Sequence, residues 1–203
     1  MFQHLAPVTR LLIIANVLVY VLQNVIGSQM VLNFALWPLG PGLYADAPTF
    51  QVWQLVSYAF LHDTSNLAHI FFNMFALYMF GSEIERLLGA SRYAVYYLVC
   101  VIGAAVAQLL VMQWMGGDSY PTVGASGGVF GLLLAFGMAF PYRRLMLLFP
   151  PIPMPAWLFV TLYGVLELVL GVTGTQQGVA HFAHLGGMAA GFVLLQVWRR
   201  RRR

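Results

Sequence analysis

The chain has 203 residues, of which 61% are hydrophobic and 8% are charged, and its mean hydropathy is +0.79. A soluble domain of this length does not need so much apolar surface, so the composition excludes that class and predicts a membrane domain. The net charge of +4 could indicate a nucleic-acid partner, but five of the ten basic residues form the run 199–203. We therefore interpret the excess charge as an anchor at the bilayer surface and expect no nucleic acid.

Six apolar segments follow one another along the chain, each near the length of a membrane-spanning helix, although the fourth is short. They cover residues 10–27, 66–86, 91–115, 125–140, 155–172 and 179–198. Arg10 before the first segment is a feature of signal peptides, but no small-x-small cleavage site follows, so we expect this segment to be retained. The predicted fold is an all-α membrane protein, a six-transmembrane-helix bundle that forms a single domain over residues 1–203.

The first loop, residues 28–65, is long for a loop and too interrupted by proline and glycine for a span. Trp37, Trp53 and Tyr58 give it aromatic bulk. Since Trp and Tyr favour the membrane–water interface, we expect this loop to lie partly in the interface, with these rings at the depth of the lipid headgroups.

Basic residues occur in alternate connections between the predicted spans. They are Arg10, Arg86, Arg92, Arg143, Arg144 and the run 199–203. The positive-inside rule places these connections in the cytoplasm, so both termini are predicted to be cytoplasmic. The short chain and its arginine run favour the inner (plasma) membrane of a bacterium.

With this orientation, spans two, four and six all begin at the outer side of the membrane. Their early residues include His69 and Asn73 in span two, Ser126 at the start of span four, and His184 in span six. Polar groups are costly in hydrocarbon, and these four share one shallow depth. The sequence therefore predicts that they converge on one site.

Glycines indicate how Ser126 and His184 could meet. Two G-x-x-x-G faces are present, Gly127 with Gly131 in span four and Gly187 with Gly191 in span six. Such faces allow two helices to approach closely, which would bring Ser126 next to His184 as nucleophile and general base. Taken alone, the serine is better explained as a packing residue. His184 taken alone is equally consistent with a side chain bonded to a backbone carbonyl, an interpretation that fits His181 better.

His69 and Asn73 are four residues apart and share one helix face. Both side chains can donate hydrogen bonds, as stabilisation of an oxyanion requires, and the N–H groups at the start of span four favour negative charge. The competing interpretation is hydrogen bonding between helices, without chemistry.

The histidines and Glu167 allow two further interpretations. A zinc site could draw on four histidines, His62, His69, His181 and His184. We predict no metal, since no H-E-x-x-H is present and no acid lies early in spans two, four or six. Glu167, an acid well inside span five, is expected to snorkel or to form a hydrogen bond, with gating as an alternative.

The motifs H-x-x-x-N in span two, G-x-S-G opening span four and A-H-x-x-G in span six together resemble the rhomboid intramembrane serine proteases. The resemblance covers nearly the whole chain and implies the minimal, rhomboid-like six-helix bundle. It also implies a Ser–His dyad without a catalytic Asp, with Ser126 as nucleophile and His184 as general base. His69, Asn73 and the backbone N–H of Ser126 would form the oxyanion hole. The supporting glycines would be Gly124, Gly127 and Gly187.

The family implies hydrolysis of peptide bonds in or next to the transmembrane segments of membrane-protein substrates, with no cofactor. One departure is Trp53-Gln54, where the family often has Trp-Arg, so the hydrogen bonds of the first loop are expected to differ. The chief alternative is a non-catalytic membrane protein, a transporter or a chaperone-like binder of transmembrane helices. The sequence gives no oligomeric state.

Overall fold

The structure is a computed structural model that describes residues 5–40, 48–115, 121–146, 151–174 and 179–201. Its helices are α1 (Pro7–Ile26), α2 (Ser28–Phe34), α3 (Gln54–Ser57), α4 (Leu67–Ala76), α5 (Ser82–Leu88), α6 (Ala90–Met115), α7 (Ser126–Ala139), α8 (Ala156–Thr173) and α9 (His181–Arg200). A π-helical turn over Leu77–Gly81 joins α4 to α5, so the two helices continue one another. Two short strands are β1 (Arg144–Met146) and β2 (Pro153–Pro155).

Four helical segments of the described chain are long and apolar enough to cross a membrane. They are Pro7–Ile26, Leu67–Leu88, Ala90–Trp114 and Ala156–Thr173. The chain is therefore a multi-pass membrane protein, and these segments match predicted spans one, two, three and five. Predicted spans four and six are not among these four segments. Helix α7, in span four, has only 14 residues, which extend about 21 Å at ~1.5 Å per residue. Helix α9, in span six, begins and ends with polar residues. The count of six spans stays a prediction.

The connection between α7 and α8 departs from the all-α prediction. Strands β1 and β2 pair antiparallel there, with Leu145 opposite Met154. The predicted spans left this stretch as a loop, since three residues per strand are too few for an alternating pattern to stand out. The fold is mostly helical, with one small hairpin.

Helix α7 lies in the core, where it packs against α6 and α9. A side chain at Gly127 would collide with Ala104 of α6, and one at Gly131 would collide with Cys100. A side chain at Gly187 of α9 would collide with the backbone carbonyl of Gly127. The glycines thus allow the close contact of α7 and α9 that their spacing predicts. Cys100 is buried, as expected of a small core residue.

The first loop packs more deeply than expected. Tyr58 is 1% exposed, and its hydroxyl donates a hydrogen bond to the carbonyl of Val101 in α6. The prediction that this ring lies among lipid headgroups is wrong, because the phenol finds an acceptor inside the protein. The indoles of Trp37 and Trp53 donate to backbone carbonyls at Leu32 and Asn33.

Helix α1 is held at both ends by polar side chains. Near its start, the Glu85 carboxylate accepts hydrogen bonds from the backbone N–H groups of Val8 and Thr9. These N–H groups have no acceptor within the helix, so the carboxylate serves as a cap supplied by α5. Near its end, Gln23 exchanges two hydrogen bonds with the backbone of His62.

Candidate active site

Ser126 and His184 meet where α7 and α9 pack together. The serine is the first residue of α7 and is partly exposed, whereas the imidazole lies in the first turn of α9 and is buried. The Oγ atom of Ser126 lies 2.7 Å from Nε2 of His184, a hydrogen-bond distance. The two groups that the sequence singled out as nucleophile and base are therefore in direct contact.

Phe130 holds the face of this imidazole. Its ring stacks on His184 with centroids 4.3 Å apart and planes 5° from parallel. Phe130 lies one turn after Ser126, so both side chains point to the same side of α7. Sequence reasoning missed this contact, and the four-residue spacing from the serine was the available signal.

Glu167 of α8 reaches the same imidazole from its other edge. Its Oε2 atom lies 2.8 Å from Nδ1 of His184 and 2.7 Å from Nδ1 of His181. The carboxylate is buried, so the expectation that it snorkels is wrong, while the expectation of hydrogen bonding is confirmed. His181 is bonded to this carboxylate and not to a backbone carbonyl, because α8 brings the acid between the two histidines.

These contacts assign the protons on His184. A carboxylate only accepts hydrogen bonds, so Nδ1 of His184 donates to Glu167. In a neutral imidazole the other nitrogen is then unprotonated, and Nε2 accepts the hydroxyl proton of Ser126. This is the tautomer that a general base for the serine requires.

His69 of α4 lies near the serine. Its Nδ1 accepts a hydrogen bond from the backbone N–H of Asp63 at 3.2 Å. A neutral ring bonded in this way carries its proton on Nε2, which is free to donate. Because Gly124 has no side chain, the space between this nitrogen and the serine is open. A Cβ atom at this position would lie 2.8 Å from His69 Nε2 and 3.7 Å from Ser126 Oγ. Gly124 has φ +126°, a conformation that favours glycine.

Asn73 is buried and donates its side-chain amide to the carbonyl of His69, 2.8 Å away within α4. The amide nitrogen carries a second hydrogen that it can donate. As first residue of α7, Ser126 adds a backbone N–H that has no acceptor within the helix. The role of these three donors at an oxyanion stays a prediction.

Hydrogen bonds join the first loop to the segment that leads into Ser126. Leu36 and Thr122 exchange backbone hydrogen bonds, and the N–H of Gly124 donates to the carbonyl of Tyr58. Gln54 is buried and accepts hydrogen bonds from the N–H groups of Trp37 and Gln51. The glutamine at the family's usual arginine position thus ties the first loop together.

The four histidines that the structure describes divide into two pairs. The rings of His62 and His69 lie 5.1 Å apart, and burial and then the nearby His69 lower the pKa of His62 to about 4. Beside them, a hydrogen bond from the Ser65 hydroxyl lowers the pKa of Asp63.

In the described part of the chain, the acid–histidine group close enough to share a metal ion is Glu167, His181 and His184. The zinc alternative lacked an acidic ligand in spans two, four and six, and Glu167 of span five is close enough to supply one. Both Nδ1–Oε2 distances fit direct hydrogen bonds, and the expectation of no metal stays a prediction.

Comparison with known families places this site in context. The family model of the rhomboid domain matches residues 49–201, about three quarters of the chain. This chain belongs to the rhomboid family. The matched range contains α3 to α9 and therefore Ser126, His184, His69, Asn73 and Glu167, while α1 and α2 precede it.

Curated relatives of this rhomboid chain are bacterial. It is 34% identical over 114 residues to the rhomboid protease GlpG of Salmonella choleraesuis (strain SC-B67). It is 32% identical over the same length to the protein of that name from Salmonella newport (strain SL254). Each alignment covers 56% of this chain and 39% of the relative, so the chain spans about two fifths of the relatives' length.

Proposed function

We propose that this rhomboid chain is an intramembrane serine protease, which hydrolyses peptide bonds in or next to the transmembrane segments of membrane-protein substrates. The observation that carries the proposal is the 2.7 Å contact between Ser126 Oγ and His184 Nε2. It joins a hydroxyl to an unprotonated ring nitrogen across two helices. Activation of a serine for attack on a carbonyl needs this arrangement.

In the proposed reaction, Ser126 Oγ attacks the scissile carbonyl while its proton passes to Nε2 of His184. The carbonyl oxygen becomes an oxyanion, for which the backbone N–H of Ser126, Nε2–H of His69 and the amide of Asn73 are the proposed donors. When the carbon–nitrogen bond breaks, the leaving amine takes the proton from His184. Water then attacks the acyl-enzyme by the same route and releases the second product.

The substrate is proposed to be a transmembrane helix that unwinds locally. A helix hides its carbonyls in internal hydrogen bonds, so a substrate with helix-weakening residues near its outer end should be cut more readily. We further propose a single domain of six spans over residues 1–203, with both termini in the cytoplasm of a bacterium and the site near the outer face of the inner membrane. The alternation of arginine-containing connections supports this orientation.

The test is labelling of the purified protein with a fluorophosphonate probe, which reacts with activated serines. We expect wild type to be labelled, Ser126→Ala to be unlabelled and His184→Ala to react at least about 100-fold more slowly, since general-base catalysis contributes about 10²- to 10⁴-fold. Co-expression with tagged single-span proteins, wild type against Ser126→Ala, then identifies cleaved substrates.

Ser57→Ala is the matched control, because the Ser57 hydroxyl donates to the carbonyl of Phe34 and has a structural contact of its own. It should label as wild type does. A transporter or chaperone-like protein would give no probe reaction that depends on Ser126, and that result would reject the protease proposal.

A further inference from the structure

Glu167 is a buried acid from a helix that supplies neither the serine nor the base. Its carboxylate is 7% exposed and lies 2.8 Å from Nδ1 of His184, on the ring edge opposite the contact with Ser126. Ser126, His184 and Glu167 thus form one chain of hydrogen bonds that runs across α7, α9 and α8.

We propose that Glu167 is a positioning residue for His184, so that the site works as a Ser–His–Glu triad. This inference rests on the proposed protease function. It goes beyond the Ser–His dyad without an acid that the family resemblance implies.

The first effect of Glu167 is to hold the ring in the reactive tautomer. While the carboxylate accepts Nδ1–H, Nε2 remains available for the serine proton. Phe130 covers the face of the ring and Glu167 holds its edge, so rotation of the imidazole about its side-chain bonds is restricted. The base is then oriented before substrate arrives.

The second effect is electrostatic and arises during the reaction. When the serine proton reaches Nε2, His184 becomes an imidazolium, while Nδ1–H stays bonded to Glu167. The carboxylate does not take this proton; it faces the new positive charge in surroundings where such interactions are strong. The proton on Nε2 later leaves with the amine, which restores the starting state.

His181 completes the arrangement by holding the carboxylate itself. Its Nδ1 donates to the same oxygen at 2.7 Å, and its ring is also buried. An isolated buried carboxylate is costly, and two donors on one oxygen offset that cost and fix the direction of the side chain. A residue that only snorkelled would need neither partner.

The experiment compares Glu167→Gln with wild type in detergent, using the fluorophosphonate labelling rate and cleavage of a single-span peptide substrate. We expect labelling and kcat to fall about 10- to 100-fold, the range expected for loss of a charge-assisted hydrogen bond, with KM changed less than about 2-fold. Rates are taken per folded molecule, as judged by thermal unfolding. Glu85→Gln is the matched control, a buried carboxylate that caps α1; it should lower thermal stability and leave both rates within about 2-fold.

A second measurement needs no variant at Glu167. Nitrogen NMR of ¹⁵N-histidine-labelled wild type, with the His184 signal assigned by its loss in His184→Ala, should find the proton on Nδ1. A proton on Nε2, or rates in Glu167→Gln equal to wild type while Ser126→Ala is unlabelled, would overturn the role of Glu167 alone. Wild type that fails to label at all would overturn the protease function as well.

Discussion

At the level of single residues, three contacts hold the imidazole of His184: a hydroxyl on one nitrogen, a carboxylate on the other and an aromatic ring on its face. Each contact restrains a different motion of the ring. His69 is also near the serine, since a Cβ atom at Gly124 would lie 2.8 Å from His69 Nε2 and 3.7 Å from Ser126 Oγ. His184 is the proposed base, and His69 and Asn73 are proposed donors to the oxyanion.

His69→Ala and Asn73→Ala should therefore differ in effect. Removing an oxyanion donor costs about 10²- to 10³-fold in kcat, and we expect His69→Ala to reach this range. Asn73→Ala should cost less, because one hydrogen of its amide is already given to the carbonyl of His69. The measurement is kcat for a transmembrane peptide substrate.

The matched control is Asn24→Ala. The Asn24 amide also donates to a carbonyl four residues earlier, but it lies at an exposed position of α1. It should leave kcat unchanged. A larger loss in Asn73→Ala than in His69→Ala would reverse the assignment of the main donor.

Much of the site at this level could be predicted from sequence. Ser126, His184, His69 and Asn73 are polar residues in apolar spans that share a depth, and depth follows from span order and arginine placement. The partners of His184 could not be obtained in the same way. Apart from Glu167 and two threonines, helix α8 is apolar on every face. No periodic face therefore indicates which side packs on α9, and the direction of Glu167 depends on that rotation.

At the level of elements, the site depends on how closely α7 and α9 approach. The backbone of Gly127 fills the space that a side chain at Gly187 would need. Two helices in this contact cannot be separated without also separating Ser126 from His184. The G-x-x-x-G spacing predicted this contact, whereas the hairpin of β1 and β2 has too short a pattern to be recognised.

Gly187→Ala should disrupt both packing and reactivity. The new methyl group would overlap the backbone of α7, and such overpacking costs about 1–3 kcal/mol of unfolding free energy. Thermal unfolding should shift to lower temperature. Fluorophosphonate labelling of the folded protein should slow about 10-fold or more, because a misplacement of reacting groups by about 1 Å can cost about 100-fold.

The control is Gly164→Ala in α8, where the nearest atom to the added methyl would be Met188 Cε at 3.5 Å, an ordinary contact. This variant should be as stable as wild type or more stable, because alanine favours a helix by about 1 kcal/mol over glycine. Equal behaviour of the two variants would show that the α7–α9 contact is not critical.

At the level of the whole molecule, the site residues and the arginines lie toward opposite ends of the helices. The site residues lie near the starts of α4, α7 and α9. The arginines lie toward the opposite ends: Arg86 is in the last turn of α5, Arg92 is near the start of α6, and Arg143 and Arg144 follow α7. If the arginines are cytoplasmic, the serine opens toward the outer side.

Cysteine accessibility tests this orientation. In a Cys100→Ala background, Ser65→Cys next to the site should react with a membrane-impermeant maleimide in intact cells or spheroplasts. Arg144→Cys in β1 should react only after permeabilisation; both native side chains are exposed. The reverse pattern would invert the proposed topology, and equal labelling before permeabilisation would contradict the predicted spans.

The shortness of α7 has a consequence for the depth of the reaction. A hydrocarbon layer is about 30 Å thick, and 14 helical residues extend about 21 Å. With Ala139 level with the inner boundary, the hydroxyl of Ser126 would lie roughly 9 Å short of the outer one. The thickness of the surrounding bilayer should therefore affect the reaction. In vesicles of long-chain phospholipid, Ser126 would lie farther from the outer boundary than in vesicles of short-chain phospholipid. The water needed for hydrolysis would then have a longer path to the serine.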